Sequence, residues 1–275
     1  MPSRGIEKVE IVRFLGTVGN ETEDFVVVEE PLEIRVLTKE HGTSQIKKIG
    51  VVMRTPGADE FLTLGLLFAE GIIQEKSQIA KLDLTKRNTV TVSFSEGYTP
   101  DLDNMERNLP STSSCGICGK NSIDGIKTTC YLDTYPYDSV RVSPAVIYEL
   151  NERQLNQQTA FSATGGIHAC TLFTLDGSFV QQFEDIGRHN ALDKLIGYAL
   201  TNDMLPLSNQ ILFLSGRAGF EMLQKAAVAG IKIVVSIGAP SSLAVELAEE
   251  WNITLIGFLR GQKFNVYTGD QRIVI

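Results

Sequence analysis

The chain has 275 residues, of which 43% are hydrophobic and 21% charged, a composition typical of a globular protein with a large core. Its net charge of −8 disfavours non-specific binding to nucleic acid or to an anionic membrane, because both need a basic surface. No secretory signal is recognisable, and no segment approaches the ~18 apolar residues of a membrane span. We therefore expect a cytoplasmic protein with no nucleic-acid and no membrane partner, whose four cysteines are reduced, catalytic or metal-bound.

The N-terminal part, residues 1–110, is predicted to be a smaller, strand-rich domain. β-Branched residues with partial alternation indicate five strands: VEIVRFL, DFVVVEE, LEIRVLT, QIKKIGVVMRT and NTVTVSFS. One helix, ADEFLTLGLLFAEGI, interrupts them. Asp59 and Glu60 suit its first turn, and the apolar residues that follow recur at helical spacing.

Residues 111–140 are predicted to form a mobile loop, since the stretch from about residue 97 onward is polar and broken by proline and glycine. Cys115 and Cys118 lie in this loop, within SCGICGK. Their spacing fits a zinc site, a redox couple or a carrier of persulfide sulfur. The sequence offers four further ligands that could complete a zinc site: Cys130, Cys170, His168 and His189.

The surroundings of the paired cysteines do not decide among these three uses. There is no second CxxC motif, and the H-x-E and P-C-x-x-C motifs of a zinc deaminase are absent. Gly116 and Gly119 provide flexibility, and Lys120 favours a thiolate, as sulfur transfer would need. From the residues alone, metal binding, redox chemistry and sulfur transfer carry about equal weight.

Residues 141–275 are predicted to form an α/β domain, a layered sheet with helices on both faces. Ser143 and Pro144 indicate a helix start, and Asp176-Gly177 indicates the turn of a hairpin. Helices are then expected at 189–200, 218–229 and 241–250, and strands at ILFL, IKIVVSI, ITLIGF, FNVYT and RIVI.

Four polar, glycine-containing motifs follow strands of this domain: FEDIGRHN, SGRAG, GAPSS and FLRGQK. If these strands are parallel, the motifs meet at one edge of the sheet, where ligands bind in open α/β sheets. Any one motif alone is better explained as a strand-to-helix turn. Together, their glycines and arginines predict a phosphate or nucleotide site, although no GxGxxG or P-loop motif is present. We assign six residues of the first two motifs to it: Gly187, Arg188, His189, Ser215, Gly216 and Arg217.

The motif TGGIHAC contains a further histidine and a cysteine. His168 follows two glycines that would let a ligand approach, so a role in binding and a role in the core are equally supported. Cys170 is better explained as a buried structural cysteine.

Five segments, in this order, resemble the FdhD family of sulfur-carrier accessory proteins of formate dehydrogenase: SCGICGK, FSATGGIHAC, FEDIGRHNALDKLIG, SGRAGFEMLQKAAVAGI and APSSLAVELAEEWNITLIGFLRGQKFNVYTG. The resemblance includes EEPLEIRV and LTLGLLFAEGII, so it covers most of the chain. Gly219 departs from the family pattern, which often has a serine there.

The resemblance implies a function and a mechanism. Cys115 would accept persulfide sulfur from a cysteine desulfurase. With help from Cys118, it would then pass the sulfur to the molybdenum (or tungsten) bis(molybdopterin guanine dinucleotide) cofactor, which is inserted into formate dehydrogenase. The protein would thus be a sulfurtransferase-like accessory protein with no metal site of its own. The family's cofactor-binding stretch corresponds to Phe258, Leu259, Arg260, Gly261, Gln262 and Lys263.

The resemblance also implies that the α/β domain is similar to cytidine deaminases without their zinc ligands, and that the protein is a homodimer. Two alternative functions are a cofactor-binding chaperone without obligatory sulfur transfer and a structural zinc protein.

Overall fold

A computed structural model describes residues 5–40, 43–102 and 140–274. The first two ranges contain a two-stranded hairpin and a four-stranded sheet of order β4-β3-β6-β5. Their elements are β1 (Ile6–Leu15), β2 (Val18–Val27), β3 (Glu30–Glu40), β4 (Thr43–Arg54), α1 (Asp59–Ala69), a 3-10 helix (Lys76–Gln78), β5 (Ile79–Asp83) and β6 (Thr89–Phe94).

The third range forms a six-stranded sheet with helices. Its elements are α2 (Pro144–Leu155), α3 (Thr159–Thr164), β7 (His168–Thr174), β8 (Phe179–Asp185), α4 (Arg188–Thr201), β9 (Gln210–Leu214), α5 (Phe220–Val228), β10 (Ile233–Ser236), α6 (Ser242–Glu250), β11 (Thr254–Arg260), β12 (Lys263–Thr268) and a 3-10 helix (Asp270–Arg272). The chain is thus a mixed α/β protein.

The direction of the strands decides where the polar motifs lie. The sheet order is β12-β11-β10-β9-β7-β8, and β9, β10 and β11 are parallel. β7 is antiparallel to β9 and β8 is antiparallel to β7, so β8 runs in the same direction as β9. The carboxyl ends of β8, β9, β10 and β11 therefore share one edge of the sheet.

Apolar side chains cover both faces of the six-stranded sheet. One face packs against α4, α5 and α6 through residues such as Leu195, Ala226 and Ala248. The opposite face packs against α2 through Ile147 and Leu150. A third core lies between α1 and the four-stranded sheet. The cytidine-deaminase-like layering and the domain boundaries at 110 and 140 stay predictions.

Helices α1 and α4 touch each other backbone to backbone. A Cβ atom on Gly65 would lie 1.8 Å from the carbonyl oxygen of Asp193, and one on Gly197 would lie 1.9 Å from that of Phe61. Because no side chain fits there, the two glycines allow α1 to lie directly on α4. This contact joins the four-stranded sheet to the helices of the six-stranded sheet.

Side-chain contacts stabilise the first turns of α2 and α1. Ser143 Oγ accepts a hydrogen bond from Val146 N at 3.4 Å, with Pro144 in the first turn of α2, which confirms the predicted start. Asp59 lies in the first turn of α1, and its carboxylate binds the buried Arg54 guanidinium in a bidentate manner, with both N–O distances at 2.9 Å.

The elements differ from the predicted ones at a few places. DFVVVEE spans the end of β2 and the start of β3 rather than one strand, and β5 and α3 were not predicted. RIVI is not a strand, because a 3-10 helix ends at Arg272 and only a bridge joins Ile273 to Val142. Across the three described ranges, no helix combines the length and apolar character needed to cross a bilayer.

Candidate functional site

The loops at the shared edge form one surface, here called the carboxyl edge and comprising residues 185–189, 215–217, 237–241 and 258–263. Backbone hydrogen bonds join the loops beyond the ends of the strands. Gly238 N donates to Gly216 O at 3.2 Å, and Phe258 N donates to Gly238 O at 3.2 Å. All four polar motifs thus meet at one edge, as the sequence predicted.

Two of the glycines serve packing between these loops. A Cβ on Gly238 would lie 2.9 Å from Arg217 Cα, and one on Gly257 would lie 3.1 Å from Gly238 O. The space beside Gly238 is therefore already filled by the neighbouring loop. Packing between the loops thus explains Gly238, one of the motif glycines from which the sequence predicted a phosphate or nucleotide site.

A buried carboxylate shapes the loop after β8. Asp185 is fully buried and accepts hydrogen bonds from Gly187 N at 2.8 Å and Asn190 Nδ2 at 3.0 Å. It also pairs with Lys194 Nζ at 2.6 Å. Asn190 therefore holds this loop in place.

The same cluster reaches the N-terminal part of the chain at Thr55, just after β4. Thr55 N donates to the Asp185 carboxylate at 3.2 Å, and Thr55 Oγ1 accepts from Ile186 N at 3.1 Å. Lys194 Nζ donates to Thr55 O at 2.9 Å. The position of the β8 loop thus depends on a residue 130 positions away.

His189 in the first turn of α4 has a partner that the sequence did not indicate. Its Nε2 atom lies 2.8 Å from Glu221 Oε2 on α5, and both side chains are nearly buried. Asp193, one turn further along α4, pairs with Lys225 Nζ at 2.6 Å. Burial would lower the pKa of Lys225, but the carboxylates of Asp193 and Glu70 outweigh it and raise the pKa.

His168, at the start of β7, lies between the loops that follow β8 and β9. Burial is the largest cause that lowers its pKa below the ordinary value. The charged side chains that lower the pKa further are Arg188, His189 and Arg217. The carboxylate of Asp185 acts in the opposite direction. His168 thus lies beside the basic side chains of the carboxyl edge.

The stretch 258–263 comprises the end of β11, the turn at Gly261 and Gln262, and the first residue of β12. Phe258 and Gly261 both have positive φ, at 56° and 55°, and Phe258, Arg260, Gly261, Gln262 and Lys263 are exposed. Leu259 differs, because its side chain is fully buried in the core beside α2. Its predicted role in binding is therefore limited to its backbone atoms.

The remaining predicted residues of the edge have defined positions. Ser215 Oγ accepts a hydrogen bond from Ala169 N at 2.8 Å, which ties the β9 loop to β7. Arg217 is exposed and Arg188 is partly exposed. Arg217 is thus the more exposed of the two arginines, and Ser215 Oγ is engaged with the backbone.

The paired cysteines, Cys115 and Cys118, lie outside the described residues, as does Cys130. Cys170 is buried, with Sγ 3.8 Å from Arg188 O, and burial raises the pKa of its thiol, as do the nearby carboxylates. This agrees with a structural cysteine. Within residues 5–40, 43–102 and 140–274, no three His, Cys, Asp or Glu side chains are grouped to hold a metal ion.

These observations define a mixed α/β protein whose arginine and histidine side chains gather at the carboxyl edge of its larger sheet. The model of the FdhD/NarQ family matches residues 27–274, and the chain therefore belongs to this family.

Curated relatives match along nearly the whole chain. "Sulfur carrier protein FdhD" of Streptomyces coelicolor is 43% identical, over 99% of this chain and 97% of the relative. The protein of the same name from Thermoplasma volcanium is 44% identical, over 93% and 91%. The fold is similar to the crystal structure of a proposed formate dehydrogenase accessory protein from Desulfotalea psychrophila, with a TM-score of 0.75, 24% identity and coverage of 98% and 99%.

Proposed function

We propose that this chain is a sulfur carrier that serves formate dehydrogenase. Cys115 accepts sulfur from a cysteine desulfurase and, assisted by Cys118, passes it to the molybdenum or tungsten bis(molybdopterin guanine dinucleotide) cofactor. The observation that carries this proposal is the 43% identity, over 99% of the chain, to a relative named sulfur carrier protein. Cytoplasmic location, a homodimer and cytidine-deaminase-like layering belong to the same proposal.

The uptake step needs no external oxidant. The Cys115 thiolate attacks the outer sulfur of the donor's persulfide, so a new S–S bond forms and the donor's S–S bond breaks. The donor cysteine leaves as a thiolate, and Cys115 becomes the persulfide. Cys170 cannot replace Cys115, because burial keeps its thiol protonated and inaccessible.

The carboxyl edge is the proposed binding site for the cofactor's guanine dinucleotide. A pyrophosphate is anionic, and the net charge of −8 means that local cations must hold it. Arg188, the first residue of α4, and Arg217, on the loop after β9, supply such cations. The N-cap residues of α4 and α5 are Gly187 and Gly219, which have no side chain to cap the first backbone N–H groups of these helices. Those N–H groups can therefore contribute to phosphate binding.

The test of the carrier function is intact mass after incubation with a cysteine desulfurase and cysteine. We expect wild type and Cys170→Ala to gain one or more sulfur atoms, and Cys115→Ala to gain none. Sulfur gain that is lost in Cys118→Ala but retained in Cys115→Ala would contradict the assignment.

Two further measurements distinguish the alternatives. Full formate dehydrogenase activity in cells that carry only Cys115→Ala would favour a cofactor-binding chaperone. Stoichiometric zinc in freshly purified protein would favour a structural zinc protein.

Binding at the carboxyl edge is tested with GDP as a probe of the guanine dinucleotide. Arg188→Ala and Arg217→Ala are each expected to weaken GDP binding about 10- to 100-fold, since hydrogen bonds to charged groups contribute roughly 1.5–3 kcal/mol. Arg13→Ala, which removes an exposed arginine of β1, is the matched control and should bind GDP like wild type. Equal affinities in all four proteins would place the nucleotide elsewhere.

A further inference from the structure

The strand order places His168 between two loops of the carboxyl edge, those that follow β8 and β9. β7 lies between β8 and β9, and His168 is its first residue, opposite Asp185 in the register. A Cβ on Gly216 would lie 3.3 Å from His168 Nδ1, so the imidazole packs against the loop that follows β9. It is half-buried, and thus in reach of a ligand bound between the two loops.

The charges that face His168 come from three elements. Arg188 and His189 lie on α4, Arg217 lies on the loop after β9, and Asp185 ends β8. Asp185 is paired with Lys194 at 2.6 Å, so it offsets little of the positive charge around the imidazole. A further positive charge, on His168 itself, is therefore unfavourable while no anion is present.

An anion bound between the arginines makes the protonated form of His168 more favourable. It neutralises the arginine charges and adds an attraction for a protonated imidazole, so the pKa of His168 rises when the anion binds. His189 differs, because its Nε2 atom already lies 2.8 Å from the Glu221 carboxylate. The binding of an anion thus changes the surroundings of His168 more than those of His189.

We propose that His168 is an anion-binding residue of the carboxyl edge, and that it takes up a proton when the pyrophosphate of a guanine nucleotide binds between Arg188 and Arg217. The inference rests on the proposed nucleotide site and adds a residue and a proton to it. Linkage gives the pH dependence of nucleotide binding. Because the pKa of His168 is lower in the free protein than in the complex, binding becomes tighter as pH falls through the interval between the two pKa values.

The test uses GDP-mannose, whose two phosphates are both esterified and do not titrate near neutral pH. Calorimetry in two buffers with different ionisation enthalpies measures the protons taken up per ligand bound. We expect wild type to take up a fraction of a proton near pH 7, and its affinity to rise by at most about tenfold per pH unit as pH falls. His168→Gln should bind more weakly, with no uptake and no pH dependence, whereas the control Arg13→Ala on β1 should retain both the affinity and the uptake.

A measurement on the wild-type protein does not depend on how the variant folds. The NMR titration of the His168 imidazole is expected to show a higher pKa with GDP-mannose than without it. Binding by wild type without proton uptake would overturn the role of His168 but leave the nucleotide site standing. Uptake that persists in His168→Gln and disappears in His189→Gln would assign the proton to His189 instead. Absence of binding by wild type at any pH would overturn both the nucleotide site and this inference.

Discussion

Gly197→Ala is expected to lower the free energy of unfolding by about 3 kcal/mol or more. The new Cβ would lie 1.9 Å from the carbonyl oxygen of Phe61 on α1. The new Cβ and the carbonyl oxygen are both fixed by the backbone, so no side-chain rotation relieves the overlap. The helices must move apart, which opens the apolar contacts on both sides of the α1–α4 contact.

The helix propensity of alanine opposes this loss of stability, so the presence or absence of the clash predicts opposite results. Alanine is favoured over glycine inside a helix by about 1 kcal/mol, so without the clash Gly197→Ala would stabilise α4. Thermal or urea unfolding distinguishes the two outcomes. For a chain of this size, a loss of about 3 kcal/mol lowers the melting temperature by about 6–12 °C.

Gly219→Ala is the matched control, because its Cβ would meet no atom within 4 Å. Its melting temperature should stay close to that of wild type. The double variant with Gly65→Ala and Gly197→Ala should lose less than the sum of the two single losses, since one separation of the helices relieves both overlaps. Additive losses, or a Gly197→Ala protein as stable as wild type, would contradict the backbone contact between α1 and α4.

The sequence predicted most of the α/β half because its signals are local. Apolar strands such as ILFL and IKIVVSI alternate with amphipathic helices, and Ser143 and Pro144 mark a helix start. The meeting of the polar motifs at one edge depended on an assumption about strand direction. β8 satisfies it through two antiparallel pairings, of β8 with β7 and of β7 with β9, which the sequence does not specify.

What the sequence did not predict depends on contacts between distant residues. α3 is short, and Glu184 on β8 accepts hydrogen bonds from the first N–H groups of this helix, at Ala160 and Phe161. β5 has five residues, two of them charged, and is too short for a recognisable alternation. Periodicity marked α1 as a helix, but it could not show that Gly65 faces α4.

The candidate site also combines local features, which the sequence predicted, with contacts between distant residues, which it did not. The motifs identified which loops matter, since glycines and arginines recur after the strands. The partners of their side chains are non-local: Glu221 holds His189 from another helix, and Lys225 engages Asp193 across 32 residues. Helix α5 supplies the partners of both side chains, and spacing along α4 alone does not reveal them.

Asp185→Ala is expected to be the most damaging change at the carboxyl edge, at about 3–5 kcal/mol of stability. It leaves the Lys194 ammonium group buried without its carboxylate, which lies 2.6 Å away in the native protein. It also removes the acceptor for Gly187 N and Asn190 Nδ2. The loop that carries Arg188 should therefore loosen, and GDP binding should weaken along with stability.

Two further variants separate the loss of the hydrogen-bond acceptor from the unpaired buried charge. They are Asp185→Asn and the double variant with Asp185→Ala and Lys194→Met. Asp185→Asn keeps the size of the side chain and one acceptor oxygen, so it should lose less stability than Asp185→Ala. The double variant with Asp185→Ala and Lys194→Met should be more stable than Asp185→Ala alone, because it removes the unpaired buried charge. Glu249→Ala, at an exposed position of α6, is the control and should unfold like wild type. If Asp185→Ala unfolds at the same urea concentration as Glu249→Ala, the buried pair does not hold the carboxyl edge together.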